Sequence, residues 1–122
     1  MITKSYKDLK FWQSARETSL MVVGLIRKLP NERIAWIISD QVLRASFSVG
    51  ENIAEGFGKF KGKEYARFIT MALGSANETE YWLELLRDVY PIYTKGIEVI
   101  LQKNMESVKM LTATLKSLKT IH

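Results

Sequence analysis

Apolar residues recur at steps of three and four along four consecutive stretches of the chain, the spacing of a helix with one buried face. The first stripe runs Leu9, Trp12, Ala15, Ser19, Val22, Ile26, Leu29, and the second Ile34, Ile38, Val42, Ala45, Val49, Ile53. The third runs Tyr65, Phe68, Ala72, Ser75, Thr79, Trp82, Leu86, Val89, and the fourth Ile97, Leu101, Met105, Val108, Leu111, Leu115, Leu118. Asp8, Asn31 and Thr94 stand where caps are expected for the first, second and fourth helices. Pro30 and Pro91 end two stripes, since proline lacks an N–H and clashes with the preceding turn. Between them Gly56-Phe57-Gly58-Lys59-Phe60-Lys61-Gly62-Lys63 combines backbone freedom with charge and predicts a third turn. Helices are thus predicted over roughly 9–29, 32–56, 63–89 and 95–120 of one domain, residues 1–122. Nothing alternates with period two, and connections this short make sequential helices antiparallel. The expected fold is all-α, an antiparallel up-down-up-down four-helix bundle.

Several apolar residues fall off these stripes: Phe11, Met21 and Leu25 in the first segment, Ile37, Leu43 and Phe47 in the second, Ile69, Met71 and Leu73 in the third. A helix apolar on more than one side is usually covered on more than one side, and in a small bundle the outer cover is another chain. This favours an oligomer. A wide intramolecular stripe with scattered surface apolar residues is the other reading. The run Gly74-Ser75-Ala76 would allow close approach of a partner backbone, or serve ordinary packing.

Composition narrows the chemistry. The chain has 122 residues, no cysteine, and a single histidine, His122, at its end. Disulfide scaffolds and cysteine-based zinc sites are excluded, and histidine-dependent catalysis would rest on a terminal residue. The glycine-rich turn fails as a phosphate-binding loop: Phe57 stands where the motif needs glycine and Glu64 where it needs Ser or Thr. No Glu-x-x-His pair exists for a di-metal bundle site, and an all-carboxylate set of Glu51, Glu55, Glu78 and Glu80 would lack nitrogen ligands. Asn77-Glu78-Thr79 matches a glycosylation acceptor only formally, inside a predicted helix. No apolar leader is visible, and the longest apolar run, Leu20 to Ile26, is far short of the ~20 residues a membrane span requires. The expectation is a cytoplasmic, non-enzymatic protein without cofactor or membrane partner.

Charge points to a partner instead. The formal net charge is +5, and it is unevenly spread. Residues 1–31 carry six Lys and Arg against two carboxylates, and residues 94–122 carry five against two; residues 63–93 carry three against five. First and last helices are neighbours in an up-down bundle, so their lysines can merge into one surface for a polyanion. Lys4, Lys7, Lys10, Lys109 and Lys116, with Lys59, Lys61 and Lys63 from the turn, are the candidates for binding RNA or DNA. Lysine acts as a point charge, so little sequence preference and strong salt dependence are expected. A solvated face that only confers solubility is the plainer alternative, and it would go with a protein-interaction or scaffold module. On the second helix Arg44, Ser48, Asn52 and Glu55 share a face beside the apolar stripe, which predicts a buried polar network fixing register or subunit contacts.

Four motifs, in order, carry a resemblance. They are Asp8-Leu9-Lys10-Phe11-Trp12-Gln13-Ser14-Ala15, Gln41-Val42-Leu43-Arg44-Ala45, Ser48-Val49-Gly50-Glu51-Asn52-Ile53-Ala54-Glu55-Gly56 and Phe68-Ile69-Thr70-Met71-Ala72-Leu73-Gly74-Ser75-Ala76-Asn77-Glu78. Together they resemble the bacterial four-helix bundles known as 23S ribosomal RNA intervening-sequence proteins. Gly50 departs from the Pro or Ala expected there, and the last helix offers no diagnostic motif. The resemblance implies a cytoplasmic homopentamer with no established enzymatic activity. It extends to the accessory variability proteins of diversity-generating retroelements, whose basic pentamers are thought to bind nucleic acid and reverse transcriptase. Arg44, Asn52, Glu55 and Glu78 match family motif positions, where the resemblance implies a structural or intersubunit role and no catalytic residue.

Overall fold

The computed structural model describes residues 5–59 and 62–121, the last two of these by backbone only. Lys4 and Lys61 lie outside the described residues. Four helices form: α1 (Lys10–Ile26), α2 (Arg33–Phe57), α3 (Gly62–Val89) and α4 (Thr94–Ile121). Single 3-10 turns, Tyr6–Asp8 and Pro91–Tyr93, precede α1 and α4. Among the described residues there is no strand. Side-chain pairs set the register. Trp12 lies beside Gly50, and the Ser19 hydroxyl donates to the Ser46 carbonyl at 3.1 Å, so α1 and α2 are antiparallel. Gly56 faces Phe68 and Ser48 faces Ser75, which reverses α3 against α2. Asn104 Nδ2 donates to the Ala76 carbonyl at 2.9 Å, joining α4 to α3. Ser14 meets Ser107 at 2.8 Å and the Tyr93 hydroxyl donates to the Lys28 carbonyl at 2.9 Å, which returns α4 along α1 and closes an up-down bundle.

The helix starts depart from expectation. Asp8 does not cap α1: its carboxylate accepts from the Ser5 N–H at 3.2 Å while the Ser5 hydroxyl accepts from the Lys7 N–H at 3.1 Å. This reciprocal pair is a capping box on the preceding 3-10 turn. Asn31 is likewise taken, its side-chain oxygen accepting from Trp36 Nε1 at 2.9 Å, and Glu32 stands at the start of α2 without a side-chain cap bond. Thr94 is the first residue of α4, and its hydroxyl donates to the Pro91 carbonyl at 2.6 Å. α1 stops at Ile26 rather than near Leu29, because Leu29 precedes Pro30 and is pushed out of the helical region.

The core has two apolar clusters. Val22, Leu25, Ile38, Val42, Leu83, Leu86, Ile97 and Ile100 fill one end, and Ala15, Val49, Ile53, Ile69, Ala72, Ala76 and Leu111 the other. Between them runs a waist of buried polar residues, Ser14, Thr18, Ser46, Ser75, Thr79, Asn104 and Ser107. Thr18 and Thr79 donate back to the carbonyls of Ser14 and Ser75, and no described buried side-chain polar atom lacks a partner. An unpaired hydroxyl there would cost about 1–3 kcal/mol, so the waist penalises any sliding of one helix past another. Of the off-stripe residues named above, Leu25 and Ile69 are buried, while Phe11, Met21, Leu43 and Leu73 are half-buried against the clusters. Ile37, Phe47 and Met71 are exposed, as are the on-stripe Ile34 and Met105.

Candidate nucleic-acid interface

The antiparallel register gathers the start of α1, the end of α2, the start of α3 and the end of α4 at one end of the bundle. Lys7, Lys10, Lys63 and Lys116 are exposed there, with Lys109 two turns further along α4. Lys119, absent from the residues singled out by sequence, joins them: it lines, with Lys63, Ala66, Thr70, Leu115 and Leu118, a groove of about 410 Å³ between α3 and α4. Its place one turn beyond Lys116 was the available signal. Lys10 begins α1 with no acidic residue in the first turn. A cation there opposes the helix dipole, so its position is unfavourable to the helix by about 0.3–1 kcal/mol.

Lys59 and Lys103 have identified partners. Lys59 lies 3.6 Å from Glu55 and 5.1 Å from the centre of the Phe68 ring, so its charge is partly matched at home. Lys103 bridges Glu17 at 3.1 Å and Glu106 at 3.4 Å. The Glu17 hydrogen bond, the largest influence, raises its pKa above the ordinary lysine value; desolvation opposes it, and the Glu106 hydrogen bond adds a smaller rise. It therefore ties α1 to α4 and adds little to the open positive face.

The expected polar network divides. Ser48 Oγ lies 2.7 Å from Ser75 Oγ and 3.1 Å from the Ala45 carbonyl, and Asn52 Nδ2 donates to the Ser48 carbonyl at 2.8 Å. Both residues are half-buried in the α2–α3 seam. Arg44, Glu55 and Glu78 are exposed instead and do not join these bonds. Their helical positions turn them to the outer flank of the seam, where hydration replaces burial. Arg44 and Glu78, with Gln41, Phe47, Ser48 and Glu51, line an open groove of about 610 Å³. Among the described residues no ion pair within 4 Å joins Arg44 to Glu51 or Glu78. No group of three or more described His, Asp or Glu residues is placed to hold a metal, so Glu51, Glu55, Glu78 and Glu80 do not converge.

The opposite end has another character. Ile34, Trp36, Ile37, Val89 and Val99 are exposed there, and Ile92 is 86% exposed. Exposed apolar residues thus gather at the end opposite these lysines, beside the exposed Arg27, Lys28, Arg33 and Lys95.

The family profile for "23S rRNA-intervening sequence protein" matches residues 7–113. Among solved structures, the chain is similar to a protein of unknown function from the S23 ribosomal protein family of Bacteroides thetaiotaomicron. The two share 33% identity over 87% of this chain and 98% of that one, with a TM-score of 0.79. No curated protein matches the chain.

Proposed function

The chain belongs to the 23S rRNA-intervening sequence protein family, and from that premise we propose that it is a non-enzymatic, cytoplasmic bundle that binds RNA or DNA through its basic end. The observation that carries this reading is the gathering of Lys7, Lys10, Lys63, Lys116 and Lys119 where four helix ends meet. Lys109 extends the same surface along α4, while Lys4 and Lys61, outside the described residues, stay candidates by sequence alone. Contacts of this kind address phosphates and release counterions, so affinity is sequence-tolerant and falls steeply with salt. A homopentamer would repeat the surface and raise avidity without any new contact. In a retroelement setting a reverse transcriptase would be a further partner. No described helix is long and apolar enough to cross a membrane.

Fluorescence anisotropy with labelled RNA and DNA at two salt concentrations tests the reading. Binding that weakens linearly in log–log terms supports it, and the double variant Lys109→Glu/Lys116→Glu should abolish it. No binding at low salt overturns it.

A protein-interaction or scaffold role is favoured by a separate observation, the apolar end around Ile34, Trp36 and Ile92. There the lysines would only keep the protein in solution. Reversing Lys109 and Lys116 would then leave partner binding or self-association intact, and light scattering reads the latter directly.

A further inference from the structure

Beside the basic end, on the outer side of α1, Lys7, Trp12, Gln13, Arg16, Glu17 and Leu20 line a groove of about 580 Å³. Its aromatic wall is set in place by local structure. The indole lies against α2 at Gly50, where even an added Cβ would stand in ordinary contact, 3.5 Å from Trp12 Nε1. Tyr6 packs edge-on against Trp12, with ring centres 5.1 Å apart and planes at 73°. The turn that carries Tyr6 and Lys7 is fixed by the Ser5–Asp8 capping box and by Gln13 Nε2, which donates to the Lys7 carbonyl at 2.8 Å. Lys7, whose carbonyl accepts that bond, and Arg16, three residues after Gln13, are exposed cations. The one acid of the lining, Glu17, is engaged by Lys103 at 3.1 Å, which leaves the open charge of the groove positive. Leu20, 55% exposed, contributes apolar surface that no neighbouring helix covers.

A half-buried indole in a groove that Lys7 and Arg16 also line matches the way proteins grip single strands: bases stack on aromatic side chains while basic groups follow the backbone. A duplex cannot present a base face to such a wall. We propose that this groove receives one unpaired base of a single-stranded nucleic acid, stacked on Trp12, with its flanking phosphates at Lys7 and Arg16. The proposal rests on the nucleic-acid reading above and narrows it from a generic polyanion to a single strand. Every base has a π face, so the site is indifferent to sequence, and the guanidinium of Arg16 can add its own cation–π contact.

The discriminating probe is a labelled oligouridine strand compared with the same backbone carrying abasic sites, which keeps the phosphates and removes the bases. The intact strand should bind the full-length protein about 5- to 100-fold more tightly, the range that base–aromatic stacking supplies. Trp12→Leu should erase that difference, and Trp12→Phe should retain part of it. Arg16→Ala and Lys7→Ala, at exposed positions, should each lower affinity for both strands and reduce the salt slope by about one. Far-UV circular dichroism checks that each variant folds; if Trp12→Leu does not, the abasic comparison and Arg16→Ala decide. Equal affinity for intact and abasic strands overturns the proposal. So does loss of binding in Lys109→Glu/Lys116→Glu with Trp12→Leu and Arg16→Ala unchanged, a pattern that leaves the basic-end reading standing. Absence of binding to any strand overturns both.

Discussion

Adding one methyl group to Gly56 changes two energies in opposite directions. In a helix, alanine is favoured over glycine by about 1 kcal/mol, because glycine loses more backbone freedom. Against this, the new Cβ would lie 2.6 Å from the Phe68 Cβ and 3.3 Å from its Cγ. Both Cβ atoms are fixed to their backbones, so no rotamer change relieves the contact. α2 and α3 must instead separate by most of an ångström at this crossing, and Phe68, a buried residue, loses contact as they do. Overpacking of this kind costs about 1–3 kcal/mol, and here no flexible side chain can yield, which places it toward the upper part of that range. The net expectation for Gly56→Ala is a loss of about 1–2 kcal/mol, or roughly 3–8 °C in Tm for a domain of this size. Gly24→Ala is the matched control, since α1 passes there with nothing within 4 Å of an added Cβ, and it should gain up to about 1 kcal/mol. Urea unfolding followed by circular dichroism measures both, with unchanged m-values confirming that only stability moved. Truncating Phe68 to Ala leaves its Cβ in place and should not rescue Gly56→Ala. If Gly56→Ala proves as stable as Gly24→Ala, the close α2–α3 crossing described above is wrong.

Lys10→Glu should stabilise the fold by about 0.3–1 kcal/mol by reversing an unfavourable charge at the start of α1, while weakening nucleic-acid binding and its salt slope; a variant that improves both refutes the assigned role. Ser14 and Ser107 should couple: either single Ala substitution strands a buried hydroxyl and costs about 1–3 kcal/mol, whereas the double substitution costs less than the sum, read from a double-mutant cycle. Gly62 has φ +60°, so Gly62→Ala should cost about 1–2 kcal/mol in denaturant titration although nothing crowds the site. Burial first raises the pKa of Tyr65 and of Tyr90, and hydrogen bonding to Glu17 first raises that of Lys103. The folded state thus holds these protons after the unfolded state has released them, so stability is intact below about pH 10 and falls as pH rises beyond it. A urea midpoint that stays level from pH 9 to pH 11 contradicts this.

Helix number and order were legible because Pro30, Pro91 and the glycine-rich turn are strong local breaks and the apolar spacing is long and regular. Caps were less legible, since they depend on competition: Asp8 is claimed by Ser5, and Asn31 by Trp36. The polar waist was not foreseen. Ser75 and Thr79 sat on a stripe, but Asn104 and Ser107 look like interruptions until the facing Ala76 carbonyl and Ser14 hydroxyl are known. For the binding surface, the sign and segment of the charge were readable. Which lysines stay open was not, because Lys103 meets Glu17 across helices. Lys59 is the exception: its partner Glu55 lies four residues earlier, a helical pair visible in the sequence. Trp12 packs beside Gly50, thirty-eight positions away, and only folding brings the two together.

The waist also bears on how such a chain can change length over generations. A residue added in the turns at Leu29–Glu32 or Tyr90–Tyr93 leaves Ser48 opposite Ser75 and Asn104 opposite Ala76. Adding a whole turn inside one helix keeps every side chain on its proper face, yet shifts everything beyond the insertion by ~5.4 Å along the bundle. Where that point lies on one side of the waist and the turn on the other, hydroxyls slide into an apolar cluster and apolar groups into the waist. Inherited insertions and deletions should therefore gather at the ends, and the four helices should keep a common ruler.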